Sequence, residues 1–129
     1  MSEELLSAFD IRGTESSGLT IECAWNVGKA LADWLPADGA VVIVYLPAKQ
    51  QLAEAVIEGL RLQGRDVVDG GFGDREAAKS HITTHKLAGG VVVGFDELEK
   101  VSTIELYQHE AKLIDNENGL PEIRDSVNA

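Results

Sequence analysis

The sequence predicts a three-layer α/β/α domain on a mixed, mostly parallel sheet. Apolar runs rich in β-branched residues alternate with segments of helical periodicity, and three such strand–helix units follow one another. Right-handed crossovers between parallel strands then place helices on both faces of the sheet. A length of 129 residues suits one domain rather than two. A chain this long buries roughly 65–70% of the surface its unfolded form exposes, so its core needs no disulfide or metal. With 44% apolar but only 5% aromatic residues, that core is one of Val, Leu, Ile and Ala.

Leu5 to Ile11 reads as a short extended segment ending at Arg12-Gly13, and polar Thr14 to Gly18 as a loop. Thr20 is placed to cap a helix running to about Leu35. In it Ile21, Ala24, Trp25, Gly28, Leu31, Ala32 and Leu35 recur at the spacing of one buried face. Pro36 and Gly39 close it. Val41 to Leu46 is a continuous apolar run, as expected of a strand covered on both sides. Lys49 to Gln63 repeats the helical pattern at Ala53, Val56, Ile57 and Leu60, and Gly64 stands where a left-handed residue ends a helix. Asp66 to Asp69 is a short strand leading into Gly70-Gly71-Phe72-Gly73, Asp74 to Lys86 a third and weaker helix, and Leu87 to Val93 a further strand.

Beyond residue 93 the alternation stops. Phe95 to Lys100 reads as an acidic loop, followed by short extended pieces at Ser102–Tyr107 and Ala111–Asp115. The domain is expected over residues 1–115, with 116–129 a polar tail containing one short helix from Pro121.

The formal charge is -11, from 22 acidic and 11 basic residues. Nucleic acid and anionic membranes attract cationic surfaces, so neither is an expected partner. The excess suits a well-solvated surface, a basic protein partner or a bound cation. Cys23 is the single cysteine, which excludes an internal disulfide and fits a reducing compartment. Met1 to Leu6 has no basic n-region, and no apolar run approaches the ~20 residues of a membrane span. A cytoplasmic protein is expected.

Four stretches carry a family resemblance: Phe9-Asp10-Ile11-Arg12-Gly13; Gly28-Lys29-Ala30-Leu31-Ala32; Leu52 through Leu60; and Gly64 with Asp66-Val67-Val68-Asp69 and Gly71. In order and spacing they resemble the D-I-R-G opening and following helices of the α-D-phosphohexomutases, the phosphoglucomutase and phosphomannomutase family. The match runs from about Ser7 to Asp115 and covers the first of that family's four domains. The resemblance implies a domain I-like fold and a link to hexose-phosphate metabolism. It also implies that Arg12 faces the active-site cleft, where it is the candidate phosphate-binding residue.

The departures weigh against catalysis. The family serine that carries the exchanged phosphoryl group follows the strand matched by Gly89-Gly90-Val91-Val92-Val93, which puts Asp96 at the serine position and Glu97 at the neighbouring histidine position. Ser102 lies six residues further on. The family's arginine-bearing loop after the second strand is also missing, with Lys49 the one cation between Val41 and Gln51. The Mg2+ loop and phosphate clamp belong to later domains. Phosphoryl transfer depends on positioning and charge stabilisation, so no catalytic residue, no cofactor and no metal site is assigned to this chain, and sugar-phosphate binding is not favoured.

Other candidates resolve into structural readings. Asp96 can mimic a phosphoserine charge, accept a phosphoryl group or bind a metal, but beside Glu97 and Glu99 it reads first as part of a solvated loop. Gly71-Phe72-Gly73 lacks the third glycine of a nucleotide fingerprint, and Asp74 is placed to occupy the following helix start itself. His81 and His85 have the spacing for one metal ion but no intervening glutamate, and His109 has no evident place beside them. Cys23 reads as a core-boundary residue. Two functions stay open: a non-catalytic interaction module with a protein partner or self-association, and one component of a split hexose-phosphate mutase. The serine replacement favours the first.

Overall fold

A computed structural model describes residues 9–16 and 18–128. The part of the first extended segment before Phe9 lies outside them. Strands β1 (Ile11–Gly13), β2 (Val41–Tyr45), β3 (Val67–Phe72), β4 (Gly89–Asp96), β5 (Val101–Gln108) and β6 (Lys112–Leu113) form one sheet. Helices are α1 (Ile21–Trp34), α2 (Gln50–Leu62), α3 (Arg75–His85) and α4 (Leu120–Val127). The strand order is β1-β5-β4-β2-β3, with β6 beside β5. β2 is parallel to β3 and β4, whereas β5 is antiparallel to β4, β1 and β6. The predicted α/β class with a mixed sheet therefore holds, with parallel pairing confined to β4-β2-β3 and antiparallel pairing around β5 in place of a mostly parallel sheet.

Residue alternation sorts the core into two clusters. Val41, Ile43, Val91, Val93, Ile104 and Leu106 face α1, α2 and α4, while Val42, Val44, Val92 and Tyr107 face Ala78 and Ile82 of α3. Thr20 caps α1 by accepting from the Cys23 amide at 3.1 Å. Ile21 is nevertheless exposed and Val27 takes a buried place on α1, because the inward stripe starts one turn later than the apolar spacing suggested.

The tightest packing joins α1 to α2. A Cβ on Gly28 would lie 2.2 Å from the Val56 carbonyl oxygen, and one on Gly59 2.1 Å from that of Trp25. The two backbones meet through reciprocal glycines that no larger residue can replace in place. The carboxyl end of α1 is closed by Arg65, whose guanidinium donates to the carbonyls of Ala32, Leu35, Ala37 and Gly39 at 2.7–3.3 Å. A cation there also opposes the negative end of the helix dipole.

Three expectations need correction. β3 continues past Asp69 to Phe72, accommodating the glycines by a register shift against β2 and a positive φ of 74° at Gly71. The segment expected as a loop from Phe95 is strand as far as Asp96, because β5 pairs with it residue for residue (Phe95↔Ser102, Asp96↔Val101) and satisfies its backbone groups. Only Glu97–Lys100 forms the hairpin turn. The short helix expected from Pro121 is α4, but residues 116–128 pack on the domain rather than trailing as a polar tail. Leu120 and Ile123 of α4 join the core beside α1, and the Trp34 indole donates to Glu122 at 3.1 Å.

Candidate functional site

β1 carries Asp10 immediately before it and Arg12 within it, and β4 ends on Asp96. Because Ile11 and Val93 point to the α1 side, Arg12 and Asp96 point to the α3 side, at the carboxyl end of β4. There they meet. The Arg12 guanidinium donates to both carboxylate oxygens of Asp10 at 2.8–2.9 Å and to Asp96 Oδ2 at 2.9 Å. The other Asp96 oxygen accepts the amides of Leu98 and Glu99 at 2.9 and 3.1 Å. The Phe9 ring stands 5.9 Å from the guanidinium carbon. Arg12 thus holds carboxylates of its own chain in the place where the resemblance expected an anionic ligand.

The electrostatics follow from these contacts. The amide of Glu99, then Arg12, holds the Asp96 carboxyl below the ordinary range, while the hydrogen bonds that Arg12 donates to Asp10 raise its guanidinium further above its already high value. Asp10 is buried, 3% exposed, and its carbonyl accepts from the Arg124 guanidinium of α4 at 3.0 Å. Burial pulls Arg124 downward. A carboxylate that accepts three N–H donors and faces a cation at 2.9 Å does not suit a divalent ion. Among the described residues no three His, Cys, Asp or Glu side chains gather where one metal could sit.

Ser102 faces away from this pair. It is buried on the opposite face of the sheet, opposite Phe95, and donates to Glu15 at 3.2 Å. Lys49 pairs with the same carboxylate and stands 4.8 Å from the Phe95 ring centroid. Asp74 accepts the Ala77 amide at 3.2 Å and so occupies the start of α3 itself. The rings of His81 and His85 are 6.0 Å apart, and His109 sits in a 3-10 turn after β5. Cys23 is half-buried, and burial, then Glu22, pushes its thiol upward, away from nucleophilic character.

One cluster was not foreseen. Arg75, the first residue of α3, donates to both oxygens of Glu105 on β5, and the Tyr107 hydroxyl donates to the same carboxylate at 3.4 Å. The available signal was the alternation in Val101 to Gln108: with Ile104 and Leu106 turned to the core, Glu105 and Tyr107 must share the other face.

No family model matches the chain. Two phosphohexose mutases from strains of Xanthomonas campestris pv. campestris are each 34% identical to it over 132 aligned positions, covering 100% of this chain and 29% of their own length. The crystal structure of a phosphoglucomutase/phosphomannomutase family protein from Burkholderia thailandensis superposes with a TM-score of 0.81 at 19% identity, over 99% of this chain and 30% of that one. The chain spans less than a third of the length of these relatives. The phosphohexomutase resemblance read from the sequence therefore stands, and so does the fold it implied.

Proposed function

We propose that this phosphohexomutase-like domain is a non-catalytic binding or interaction module related to hexose-phosphate metabolism. The observation that carries this reading is the state of Asp96. At the position matched to the family's phosphoserine stands a carboxylate whose two oxygens are engaged by Arg12, Leu98 and Glu99. For a carboxylate to accept a phosphoryl group, that group must be drawn in and held by cations. Around Asp96 the neighbours Glu97 and Glu99 are carboxylates that repel an incoming phosphate. Arg12, the guanidinium that reaches Asp96, is already bound to two carboxylates.

The competing reading, one component of a split hexose-phosphate mutase, draws on the retained scaffold and on the retained arginine of the family signature. Phosphoglucomutase and phosphomannomutase assays on the purified chain decide between them. Turnover at blank level, alone and mixed with the remaining domains of a phosphohexose mutase, is the expected result. Turnover that disappears in Asp96→Ala would establish the split enzyme instead. No helix among the described residues is long and apolar enough to cross a membrane, and a cytoplasmic setting with a protein partner fits the acidic composition best.

A further inference from the structure

The two faces of the sheet are covered unequally. α1, α2 and α4 share a core with residues of β1, β2, β4 and β5. On the other face α3 packs against β2, β3 and β4 and, through Tyr107, the far end of β5, whereas the stretch over the rest of β5 and β1 carries no helix among the described residues. Two recesses open there, of about 770 and 500 Å³, and they meet at Phe9, Arg75 and Glu105 to form one trough.

We propose that this trough is the docking site for a basic, extended segment of a partner protein. The proposal rests on the reading of the chain as a binding module. Charge selects the occupant. Seven carboxylates line the two recesses against three cations, and two of those cations, Arg12 and Arg75, are already spent on Asp10, Asp96 and Glu105. Glu97 and Glu99 rim one end, Asp115 and Glu117 the other. In a chain of charge -11 this surface repels phosphates, nucleic acid and a second copy of itself.

Geometry selects an extended conformation. Thr103 and Glu105 stand at alternate positions of β5 on the floor, a repeat of roughly 6.5–7 Å that matches alternate side chains of an extended peptide. Tyr107, next in the series, closes the floor where it tucks beneath α3. The floor also offers a cation a place to bind. Glu105 is buried, yet the Arg75 side chain that pairs with it is 57% exposed. An arriving Lys or Arg can take the same carboxylate while Arg75 swings into water, so no buried charge is left unpaired. Phe9, half-exposed, and Leu98, 94% exposed, supply apolar contacts for a side chain between the basic ones.

The test uses a short fluorescein-labelled peptide alternating Lys and Thr around one Leu, followed by anisotropy, with amide shifts mapped by NMR. Shifts confined to Phe9, Arg75, Glu105, Tyr107 and their neighbours are expected, and affinity that falls with added salt. Charge reversal at the rim, Glu97→Lys with Glu117→Lys, should weaken binding about tenfold, whereas the equal reversal on α2, Glu54→Lys with Glu58→Lys, should change it less than about twofold. Equal weakening by both pairs, shifts centred elsewhere, or equal binding of a Glu/Thr peptide would overturn the proposal. So would self-association that the rim reversal abolishes, because the occupant would then be a second copy. Mutase assays on the same sample separate the two readings: turnover refutes the non-catalytic function and leaves the isotherm standing, while an absent isotherm without turnover refutes only the docking site.

Discussion

The α1–α2 side of the sheet and the uncovered side over β5 and β1 are built on opposite principles. The first is apolar and tight enough that two helices touch through Gly28 and Gly59. The second is wet and held by side-chain ion pairs, Arg12 with Asp10 and Asp96, and Arg75 with Glu105. Close packing makes a site intolerant of added volume, whereas partly exposed ion pairs contribute little and tolerate change. The contrast teaches that the stretch over β5 and β1 carries less of the fold's packing than the α1–α2 side does. Substitutions on the two faces should therefore differ sharply.

The largest effect is expected at the helix contact. In Gly59→Ala the new methyl would stand 2.1 Å from the Trp25 carbonyl oxygen, so the helices must separate. A loss of about 3 kcal/mol or more in urea denaturation is expected, at the upper end of overpacking costs. The matched substitution on the wet face, Gly94→Ala, meets only Thr103 Oγ1 at 3.3 Å and should cost less than about 1 kcal/mol. Equal losses at the two glycines would erase the distinction between the faces.

Next comes Arg65, which serves the packed side by closing α1. Arg65→Ala strips hydrogen bonds from four carbonyls and should cost about 2 kcal/mol, the scale of hydrogen bonds to a charged donor. Lys at this position should recover only part of that loss, because an ammonium lacks the planar fork that reaches several carbonyls together.

The packed face is also the one that was legible in the sequence. Ala53, Val56, Ile57 and Leu60 repeat at helical spacing and are all buried, and Thr20 caps the helix that its position implied. Periodicity reports which way a side chain faces, and on this face orientation is nearly everything. The wet face was read less well for a definite reason. The acidic run Asp96 to Glu99 looks like a loop in composition, yet Asp96 belongs to a strand because β5 supplies its backbone partners. Pairing between segments is a property that local composition does not carry. Likewise Arg12 and Asp96 are 84 residues apart in sequence. The resemblance placed each near the cleft, but only the sheet register shows that they bind each other.

The ion pairs of the wet face should themselves separate by burial. Arg12→Ala leaves the buried Asp10 carboxylate without its guanidinium, and a loss of about 2 kcal/mol is expected, below the 3–5 typical of fully buried pairs. Asp96→Asn removes a more exposed partner and should cost much less by the same chemical denaturation. It should also remove an acid-side dependence. The Asp96 carboxyl titrates below its ordinary value in the folded chain, so its contribution is present at neutral pH and is lost as pH falls through the folded value. Identical acid unfolding curves for the wild type and Asp96→Asn would show that the Arg12 contact is not maintained in solution.

The smallest effect is expected where the two environments meet, at Tyr107. Its ring packs with Ala78 and Ile82 under α3, and its hydroxyl reaches Glu105 in the trough. Burial, then the charge of Glu105, pushes the phenol up to about 12. The folded chain therefore keeps this proton in a range where an unfolded tyrosine, with a value near 10, has begun to release it. With more protons bound in the folded state, stability must fall as pH rises between those two values, and be unaffected well below the lower one. Tyr45 is also raised, by burial and Asp69, so wild-type absorbance alone does not isolate the effect. The difference from Tyr107→Phe does. That variant gives up only a 3.4 Å hydrogen bond and keeps the ring, so at neutral pH its stability should lie within about 1 kcal/mol of the wild type. Its alkaline decline should be shallower than the wild type's. Parallel declines would mean that the Tyr107 hydroxyl is solvated in the folded protein and that the trough reaches further beneath α3 than its lining residues indicate.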